Sequence, residues 1–329
     1  MALVPRRLLA IVGPTASGKS ALALHLAEVV PAEIVSCDSL QVYRGVDIGS
    51  AKPTAEERGR VPHHLLDLAD PDEGFSAARY AQSARRAIAE IAARERVPIV
   101  VGGTGLYLRA LLEGLFPGPS RDDALRQRLE GIAERFGDAR LHRLLGRVDP
   151  EAAGRIAVRD RVRVVRAIEV FALTGRPLSV QQGLEEKPLA GYATLLVGLA
   201  LPRATLRVRV IERTHEMLRA GLIDEVRGLV AKGYGRTRAL DAIGYRQARQ
   251  VVEGTLTVTA AEHEIVTQTM RYAKRQMTWF RHQASVAWFA DAEAAFCSAH
   301  AWLSNETSER STADPPSRAG AFDAEALGE

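Results

Sequence analysis

Eight residues near the beginning of the chain have the composition and spacing of a phosphate-binding loop. The pattern G-x-x-x-x-G-K-[ST] is met by Gly13-Pro14-Thr15-Ala16-Ser17-Gly18-Lys19-Ser20. The glycines allow successive backbone N–H groups to point at an anion, and the helix that follows adds partial positive charge. We predict that Lys19 reaches the outer phosphate and that the hydroxyl of Ser20 holds Mg²⁺. The pattern leaves open which phosphorylated molecule binds.

A carboxylate and a hydroxyl follow two other predicted strands. Asp38 comes at the end of the second strand, and Thr104 follows the fourth strand in the segment Gly102-Gly103-Thr104-Gly105. Ligands of open α/β sheets lie outside the carboxyl ends of the strands, so we expect both side chains beside the phosphate loop. Asp38 then acts as a base or orients Mg²⁺, or it caps the segment that follows. The acid that an ordinary ATPase carries near this edge is missing after the fourth strand, which argues against standard nucleotide hydrolysis.

Two stretches of the chain are rich in arginine and lysine. The first contains five arginines and a single acid: Arg155, Arg159, Arg161, Arg163 and Arg166 beside Asp160. The second, residues 271–282, interleaves basic residues with Tyr, Trp and Phe, and no Asp or Glu occurs between Glu264 and Asp291. Each stretch alone suits either a phosphate backbone with stacked bases or a solvated helix face over an aromatic core stripe. Two such clusters without acidic partners favour nucleic acid.

Short apolar runs alternate with helical patterns, which is typical of βαβ units and a parallel sheet. The predicted strands are residues 8–12, 33–36, 64–68, 97–101 and 194–200. We predict an α/β fold in which a P-loop parallel sheet is flanked by helices and carries a helical insertion domain. Residues 1–117 and 191–303 form the P-loop catalytic core, 118–190 form the insertion, and 304–329 form a disordered tail rich in small and polar residues.

The helices are predicted from their apolar spacing and from turn residues such as Pro117-Gly118-Pro119-Ser120. Those of the insertion cover residues 124–136, 139–145, 151–156 and 161–173, and a loop is expected from 177 to 188. After the fifth strand, helices are predicted over residues 206–220, 223–231, 242–253 and 260–280.

Composition excludes several classes of protein. The chain has 329 residues, 47% of them hydrophobic and 26% charged, with a formal net charge of +4. Cys37 and Cys297 are its only cysteines, which excludes a disulfide framework or a thiolate zinc site. No signal peptide is evident, and no apolar run is long enough to span a bilayer. We expect a soluble, cytoplasmic protein with no membrane association, and a monomer.

The motifs, taken together, resemble those of the tRNA dimethylallyltransferases, also called tRNA isopentenyltransferases, over residues 8–280. The resemblance starts with the phosphate loop and continues through Asp38-Ser39-Leu40-Gln41-Val42-Tyr43, Ile48-Gly49-Ser50-Ala51-Lys52-Pro53, His63-His64-Leu65-Leu66-Asp67, residues 102–107, Arg166-Ala167-Ile168-Glu169, Ala242-Ile243-Gly244-Tyr245 and Tyr272-Ala273-Lys274-Arg275-Gln276. Because nothing after Phe280 looks like the zinc finger of some eukaryotic relatives, the chain resembles the bacterial type.

The resemblance implies that a dimethylallyl group moves from dimethylallyl diphosphate to the exocyclic amine of the adenosine on the 3′ side of a tRNA anticodon. It implies that the diphosphate is bound by the loop Gly13–Ser20, with Mg²⁺ on Ser20, and by Arg213, and that Lys19 stabilises the charge of the leaving diphosphate. It also implies that Asp38 accepts a proton or hydrogen bond from the amine and that Thr104 lies between the donor and the base. The residues that it implies for binding of the anticodon stem-loop are Asp38, Ser39, Leu40, Gln41, Thr104, Arg126, Arg163, Arg166, Arg271, Lys274 and Arg275.

Two other functions remain open at this point. A P-loop kinase would phosphorylate a small molecule with ATP, and it would need an acidic strand end near Gly102, which the sequence lacks. A non-catalytic RNA-binding ATPase would hydrolyse nucleotide and would have no need of Asp38.

Overall fold

The structure is a computed structural model that describes residues 5–116, 118–181 and 188–304. Two compact units are present: Met1–Leu108 with Gly191–Glu329, and Arg109–Ala190. We call them the sheet unit and the helical unit. The predicted tail lies outside the described residues from position 305 onward, and its disorder stays a prediction. Among the described residues, no helix has the length and apolar character needed to cross a membrane.

The described residues of the sheet unit form six parallel strands. They are β1 (Arg6–Val12), β2 (Ala32–Ser36), β3 (His63–His64), β4 (Val97–Gly102), β5 (Tyr192–Leu199) and β6 (Ala287–Phe289). Their order across the sheet is β3-β2-β4-β1-β5-β6. The predicted α/β fold with a parallel sheet is therefore confirmed. The predicted strand 64–68 is wrong beyond His64, because Leu65 and Asp67 adopt positive φ angles of 65° and 55° and leave the extended region.

Helices of very different length connect and cover the strands. They are α1 (Lys19–Val29), α2 (Ala55–Arg60), α3 (Ala77–Ala93), α4 (Gly105–Leu112), α5 (Asp123–Phe136), α6 (Asp138–Val148), α7 (Pro150–Arg155), α8 (Arg161–Thr174), α9 (Leu178–Gln181), α10 (Arg203–Arg219), α11 (Leu222–Ala231), α12 (Tyr245–Val252), α13 (Val258–Gln283) and α14 (Ala292–Ser304). The eight helices predicted after Ser120 are all present, with ends within three residues of the expected ones.

Among the elements that the sequence analysis did not predict are β6, α14 and α9. Strand β6 has only three residues at the edge of the sheet, too few for a periodic pattern. Helix α14 presents small alanines to the core, of which Ala295 and Ala299 are fully buried, so its sequence shows little contrast between faces. Helix α9 lies within the expected loop 177–188, of which residues 182–187 fall outside the described residues.

The core of the sheet unit explains why its central strands are continuously apolar. Leu9 and Ile11 of β1, Ile99 of β4 and Leu199 of β5 are completely buried. Helices cover the faces of a parallel sheet, so both sides of a central strand are removed from water and neither needs polar residues. The predicted strands were recognisable for this reason.

The register of the central strands determines where the loops emerge. Strand β4 lies between β1 and β2, and it pairs Gly102 with Val12 and Val101 with Ser36. These three strands therefore end level with one another. The phosphate loop, the segment that begins at Cys37 and the segment that begins at Gly103 leave the sheet along one edge.

The helical unit has a core of its own. Leu141 and Leu145 of α6 and Val164 and Val170 of α8 are buried in it. The buried carboxylate of Asp149 begins α7 by accepting a hydrogen bond from the backbone N–H of Ala152 (2.9 Å). The predicted insertion at 118–190 lies within this unit, which begins at Arg109.

Candidate active site

The phosphate loop joins β1 to α1 through a backbone that only some residues can adopt. Gly13 and Gly18 have φ angles of 143° and 96°. A Cβ atom on Gly13 would also lie 2.7 Å from the carbonyl oxygen of Leu199. Glycine at both positions therefore allows the chain to curl tightly against β5 and to enter α1 at Lys19.

Lys19 is half-buried in the mouth of this loop. Its Nζ donates a hydrogen bond to the carbonyl of Pro14 at 3.0 Å. Burial and the positive charge of Arg213 lower the pKa of Lys19 to about 8, although the negative charge of Asp38 acts in the opposite direction. An anion bound here would relieve the repulsion between the two cations.

Two arginines on α10 hold the loop from the other side. Arg213 donates from Nη1 to the hydroxyl of Thr15 at 3.1 Å, and burial lowers the pKa of Arg213. Arg209 donates from Nη1 to the carbonyl of Ser17, also at 3.1 Å. Arg209 was not predicted to contribute, although its position one helical turn before Arg213 could have indicated it.

Gln276 of α13 connects the phosphate loop to the end of β4. Its Oε1 accepts a hydrogen bond from the backbone N–H of Thr15 at 2.9 Å, and its Nε2 donates to the carbonyl of Gly103 at 2.9 Å. A Cβ atom on Gly103 would lie 2.1 Å from that Nε2, so glycine makes the close approach possible. Gln276 was noticed in the sequence only as part of a motif. Its position on the same helix face as Ala273 and Phe280 was the available signal.

Asp38 and Thr104 are neighbours at the mouth of the loop. Oδ1 of Asp38 accepts a hydrogen bond from the backbone N–H of Leu40 at 2.8 Å, which is the local capping role that was left open. Oγ1 of Thr104 accepts from the backbone N–H of Ser39 at 3.2 Å. Among the described residues, the hydrogen bonds to Asp38 fall on Oδ1, and none is made to its second oxygen. A base role and a capping role are thus compatible.

The residues after Asp38 are engaged within the protein. The side chain of Gln41 accepts from the hydroxyl of Ser36 at 2.8 Å and donates to the carbonyls of Ser50 and Ala51 at 3.3 and 3.0 Å. The amide that was expected to contact tRNA is therefore already used to hold the chain that follows Asp38.

The second basic stretch forms the exposed face of α13. A groove of about 460 Å³ is lined by Arg271, Lys274, Arg275, Thr278, Trp279 and His282. Phe280 is buried on the opposite side of the helix and is only 1% exposed. Trp279 instead packs against Gly105, where a Cβ atom would lie 2.3 Å from its ring. The helix thus has aromatic residues on its buried side and basic residues on its exposed side. The interpretation as an aromatic core stripe describes the first side, and the interpretation as a surface for a phosphate backbone suits the second.

In the helical unit, two of the expected tRNA-binding arginines have internal partners. Arg126 binds both oxygens of the buried Glu169, at 2.8 and 2.7 Å, and Arg166 donates to Glu169 at 2.6 Å. Burial acts to raise the pKa of Glu169, but these hydrogen bonds outweigh it and lower the pKa to about 2. Arg163 is 74% exposed and only 3.4 Å from Asp160.

One premise of the sequence interpretation was wrong. The first arginine cluster was expected to lack acidic partners, but Arg161 pairs with Asp138 at 2.8 Å and Arg166 with Glu169. Both acidic partners, Asp138 and Glu169, lie outside residues 155–166, so a count of the acids within that stretch does not include them.

The sheet unit therefore brings together a phosphate loop, two cations, a carboxylate with a free oxygen and a basic groove. These features are typical of an α/β fold with a phosphate-binding loop, in which a carboxylate lies beside the loop and the acid that an ordinary ATPase carries is missing at the end of β4.

Comparison with known proteins identifies the family. Residues 41–283 match the IPP transferase family, and the chain belongs to it. The tRNA dimethylallyltransferase of Geobacter metallireducens is 50% identical over 283 residues, which cover 86% of this chain and 92% of that protein. That of Anaeromyxobacter dehalogenans is 50% identical over 287 residues, covering 86% and 93%. The family predicted from the motifs is confirmed, and these names favour prenyl transfer over the kinase alternative.

Solved structures that resemble the chain also include proteins named as transferases of this kind. A tRNA isopentenylpyrophosphate transferase from Bacillus halodurans is 39% identical with a TM-score of 0.66, and the match covers 91% of this chain and 95% of that one. A eukaryotic dimethylallyltransferase acting on tRNA is 24% identical with a TM-score of 0.72, covering 93% and 81%, which supports the fold alone.

Proposed function

We propose that the protein transfers a dimethylallyl group from dimethylallyl diphosphate to the N6 amine of the adenosine that follows the anticodon of a tRNA. Membership of the family supports the reaction. The observation that carries its assignment to this site is the meeting of the phosphate loop with Asp38 and Thr104 at one edge of the sheet.

The diphosphate of the donor binds in the loop Gly13–Ser20 in this proposal. The N-terminus of α1, which begins at Lys19, lies next to the phosphates, and Lys19 and Arg213 supply two positive charges. The bond between the allylic carbon and the diphosphate oxygen breaks during transfer. Cations that are already in place stabilise the negative charge that develops on the leaving group.

Asp38 is the base in this proposal. As the adenine amine forms its bond to the allylic carbon, it must lose a proton, and Asp38 accepts it on the oxygen that the described hydrogen bonds leave unused. Thr104 lies beside Asp38 through its hydrogen bond from Ser39, so its hydroxyl is available to the amine or the donor. The target base has to leave its stack to reach these groups.

Mg²⁺ fits the residues present. Mg²⁺ commonly takes one or two protein oxygens together with substrate phosphates, and the exposed Ser20 at the start of α1 offers such an oxygen. No cluster of three His, Cys, Asp or Glu side chains that could hold a metal ion occurs in the described part of the chain. When bound, the ion would neutralise part of the diphosphate charge.

The tRNA contacts the basic groove of α13 through Arg271, Lys274 and Arg275 in this proposal, where Trp279 adds an aromatic surface. Arg163 of the helical unit is exposed and available to a phosphate of the tRNA. Arg126 and Arg166 are paired with Glu169, so in this proposal they support tRNA binding indirectly, by holding the backbone of the helical unit in place. We also propose that the enzyme acts as a monomer in the cytoplasm, where its free Cys37 and Cys297 stay reduced.

A direct assay tests the function. The protein is incubated with unmodified tRNA, Mg²⁺ and either dimethylallyl diphosphate or ATP, and the nucleosides are identified by mass spectrometry. We expect a dimethylallyl adduct on adenosine that depends on the prenyl donor. Modification that requires ATP and not the prenyl donor would favour the kinase alternative and overturn the proposal.

A further inference from the structure

The segment between Asp38 and α2 has several buried residues although it contains no helix and no extended strand. Val42 and Val46 are completely buried within it, and Ser50 and Lys52 are 5% and 8% exposed. We call residues 41–52 the Asp38 loop. Turns and backbone hydrogen bonds to residues 67–69 hold its first part, and side chains from other elements bind backbone groups in the rest.

One end of the Asp38 loop is bound to Asp38 itself. The carboxylate of Asp38 accepts from the backbone N–H of Leu40, and Gln41 joins the end of β2 to the far end of the loop through Ser36 and Ala51. Hydrogen bonds through Gln41 therefore connect the loop to the carboxylate of Asp38.

The middle of the loop is held by a carboxylate from α11. Oε2 of Glu225 accepts hydrogen bonds from the backbone N–H groups of Ile48 at 2.8 Å and Asp47 at 3.2 Å. Oε1 of Glu225 accepts from the hydroxyl of Tyr245 at 2.6 Å. Each oxygen of Glu225 thus has a separate task, one toward the loop and one toward α12.

Tyr245 fits against the same part of the loop. Its side chain is completely buried, and a Cβ atom on Gly49 would lie 2.5 Å from its ring. Burial and the charge of Glu225 raise the pKa of Tyr245, so its hydroxyl stays protonated and donates. The ring supports the loop by packing, while the hydroxyl orients Glu225.

Lys52 closes the network. Its Nζ donates to the carbonyl of Tyr43 at 2.7 Å, to Asp47 at 2.5 Å and to Asp67 at 2.6 Å, and its side chain is 1% exposed. Asp47 is therefore held through its side chain by Lys52 and through its backbone by Glu225. Residues of the motifs 48–53 and 242–245 take part in this network.

We propose that Glu225, oriented by Tyr245, is a positioning residue that sets the Asp38 carboxylate for proton transfer through the Asp38 loop. The inference rests on the proposed role of Asp38. Glu225 touches neither substrate, so its removal should affect the chemical step and not the binding of the donor, which is held by the phosphate loop and α10.

The test compares four single variants of the full-length protein, and the double variant of Glu225 and Tyr245, in prenyl transfer to tRNA. Glu225→Gln and Tyr245→Phe each disturb one side of the pair while preserving size, and Asp224→Asn, on the neighbouring exposed residue of α11, is the matched control. Asp38→Asn is assayed in parallel. The measurements are kcat, KM for dimethylallyl diphosphate, the thermal midpoint, and hydrogen exchange at the N–H groups of Asp47 and Ile48.

We expect kcat to fall between about 10- and 100-fold in Glu225→Gln and Tyr245→Phe, the range that a misplaced catalytic group produces. KM for the donor should stay within about two-fold of the wild-type value, and hydrogen exchange at Asp47 and Ile48 should accelerate. The double variant should be about as slow as the slower single variant, because Glu225 and Tyr245 act through the same contact with the Asp38 loop. Asp224→Asn should match the wild-type protein.

Two results would overturn the inference. One is a kcat for Glu225→Gln equal to that of Asp224→Asn while Asp38→Asn is inactive. The other is a loss in which the donor KM and the thermal midpoint change together with kcat, which would indicate a purely structural role. Full activity of Asp38→Asn would instead contradict the proposed role of Asp38 itself.

Discussion

At the scale of single residues, the site depends on charges that are held near one another before any ligand arrives. Lys19 and Arg213 repel each other, and the carboxylate of Asp38 attracts both. Such an arrangement suits a reaction that separates a diphosphate from its carbon and then removes a proton from the nucleophile.

The first prediction concerns Asp38. Asp38→Asn keeps an oxygen that accepts from the N–H of Leu40 but can no longer take a proton at neutral pH. We expect kcat to fall by at least about 100-fold, the usual contribution of a general base, while the Kd for tRNA changes little. Asp72→Asn, an exposed residue, is the control. Near-normal transfer by Asp38→Asn would remove Asp38 from the mechanism.

The second prediction concerns pH and Lys19. The pKa of Lys19 in the folded protein, about 8, lies below its ordinary value of 10.5, so folding disfavours the charged form. This destabilisation is complete below pH 8 and disappears as the pH rises towards 10.5. Lys19→Met should therefore raise the thermal midpoint of the donor-free protein at pH 7, and the difference should shrink by pH 10.

Activity should respond to the same substitution in the opposite way. Loss of the charge should lower kcat/KM for the donor by about 100-fold or more. Lys232→Met, at an exposed position, should change neither property. A midpoint difference that is constant from pH 7 to pH 10 would contradict the burial of the Lys19 charge.

At the scale of elements, helices bring distant side chains to the strand ends. Helix α13 supplies Gln276 to the phosphate loop and, on its other side, the basic groove. Helix α10 supplies Arg209 and Arg213, and α11 supplies Glu225. The loops at the sheet edge are short or irregular, so these helices provide most of the groups that hold them.

The third prediction concerns Gln276. Gln276→Leu removes the acceptor of the Thr15 N–H and the donor to the Gly103 carbonyl, both of which are shielded from water. We expect a loss of stability of about 2 kcal/mol and a raised KM for the donor, since the phosphate loop loses its connection to β4. Thermal unfolding and steady-state kinetics measure the two effects.

Gln268→Leu, two turns earlier on α13, serves as its control because Gln268 does not contact the phosphate loop among the described hydrogen bonds. Equal effects of the two substitutions would show that Gln276 has no special role at the loop.

The fourth prediction concerns the ion pairs inside the helical unit. The pKa of Glu169, about 2, is lower than its ordinary value of 4.5, so its charge stabilises the folded state above pH 4.5, and this contribution is lost as the pH falls towards 2. Glu169→Gln should destabilise the protein by about 3 kcal/mol at pH 7, because Arg126 and Arg166 lose their buried partner.

The difference between Glu169→Gln and the wild-type protein should narrow between pH 4.5 and pH 2 in thermal unfolding. Glu134→Gln, on the exposed face of α5, should have little effect at any pH. A difference that persists unchanged at pH 2.5 would contradict this account of the ion pairs.

At the scale of the whole molecule, a small net charge coexists with a strongly basic surface on one helix. The formal charge is only +4, yet the exposed face of α13 carries Arg271, Lys274 and Arg275 within residues 265–290, which contain no acid. Local charge, and not net charge, decides how strongly such a surface attracts a polyanion.

The fifth prediction follows from that surface. Replacing Arg271, Lys274 and Arg275 together by Gln should weaken tRNA binding and reduce the slope of log K against log salt by about 2, since each phosphate contact contributes about 0.7 to 0.9. The control replaces three exposed basic residues elsewhere in the sheet unit, Arg227, Lys232 and Arg236. An unchanged slope in the first variant would exclude the groove as a tRNA surface.

The sequence by itself determined the phosphate loop, the strands β1, β2, β4 and β5, and the family. Gly13–Ser20 is a contiguous pattern whose function depends on local backbone geometry, and buried parallel strands are recognisable because both of their faces are apolar. Asp38 and Thr104 could be placed beside the loop because parallel strands end at one edge of a sheet.

Only the tertiary structure decided which partners these residues have. Gln276 lies 261 positions from Thr15, and Glu225 lies 177 positions from Ile48, so no local pattern joins them. Their hydrogen bonds exist because packing of α11 and α13 on the sheet unit removes those backbone groups from water, where each requires a partner. Burial likewise explains why Glu169 is paired with Arg166, and the spacing of the arginines alone did not predict this ion pair.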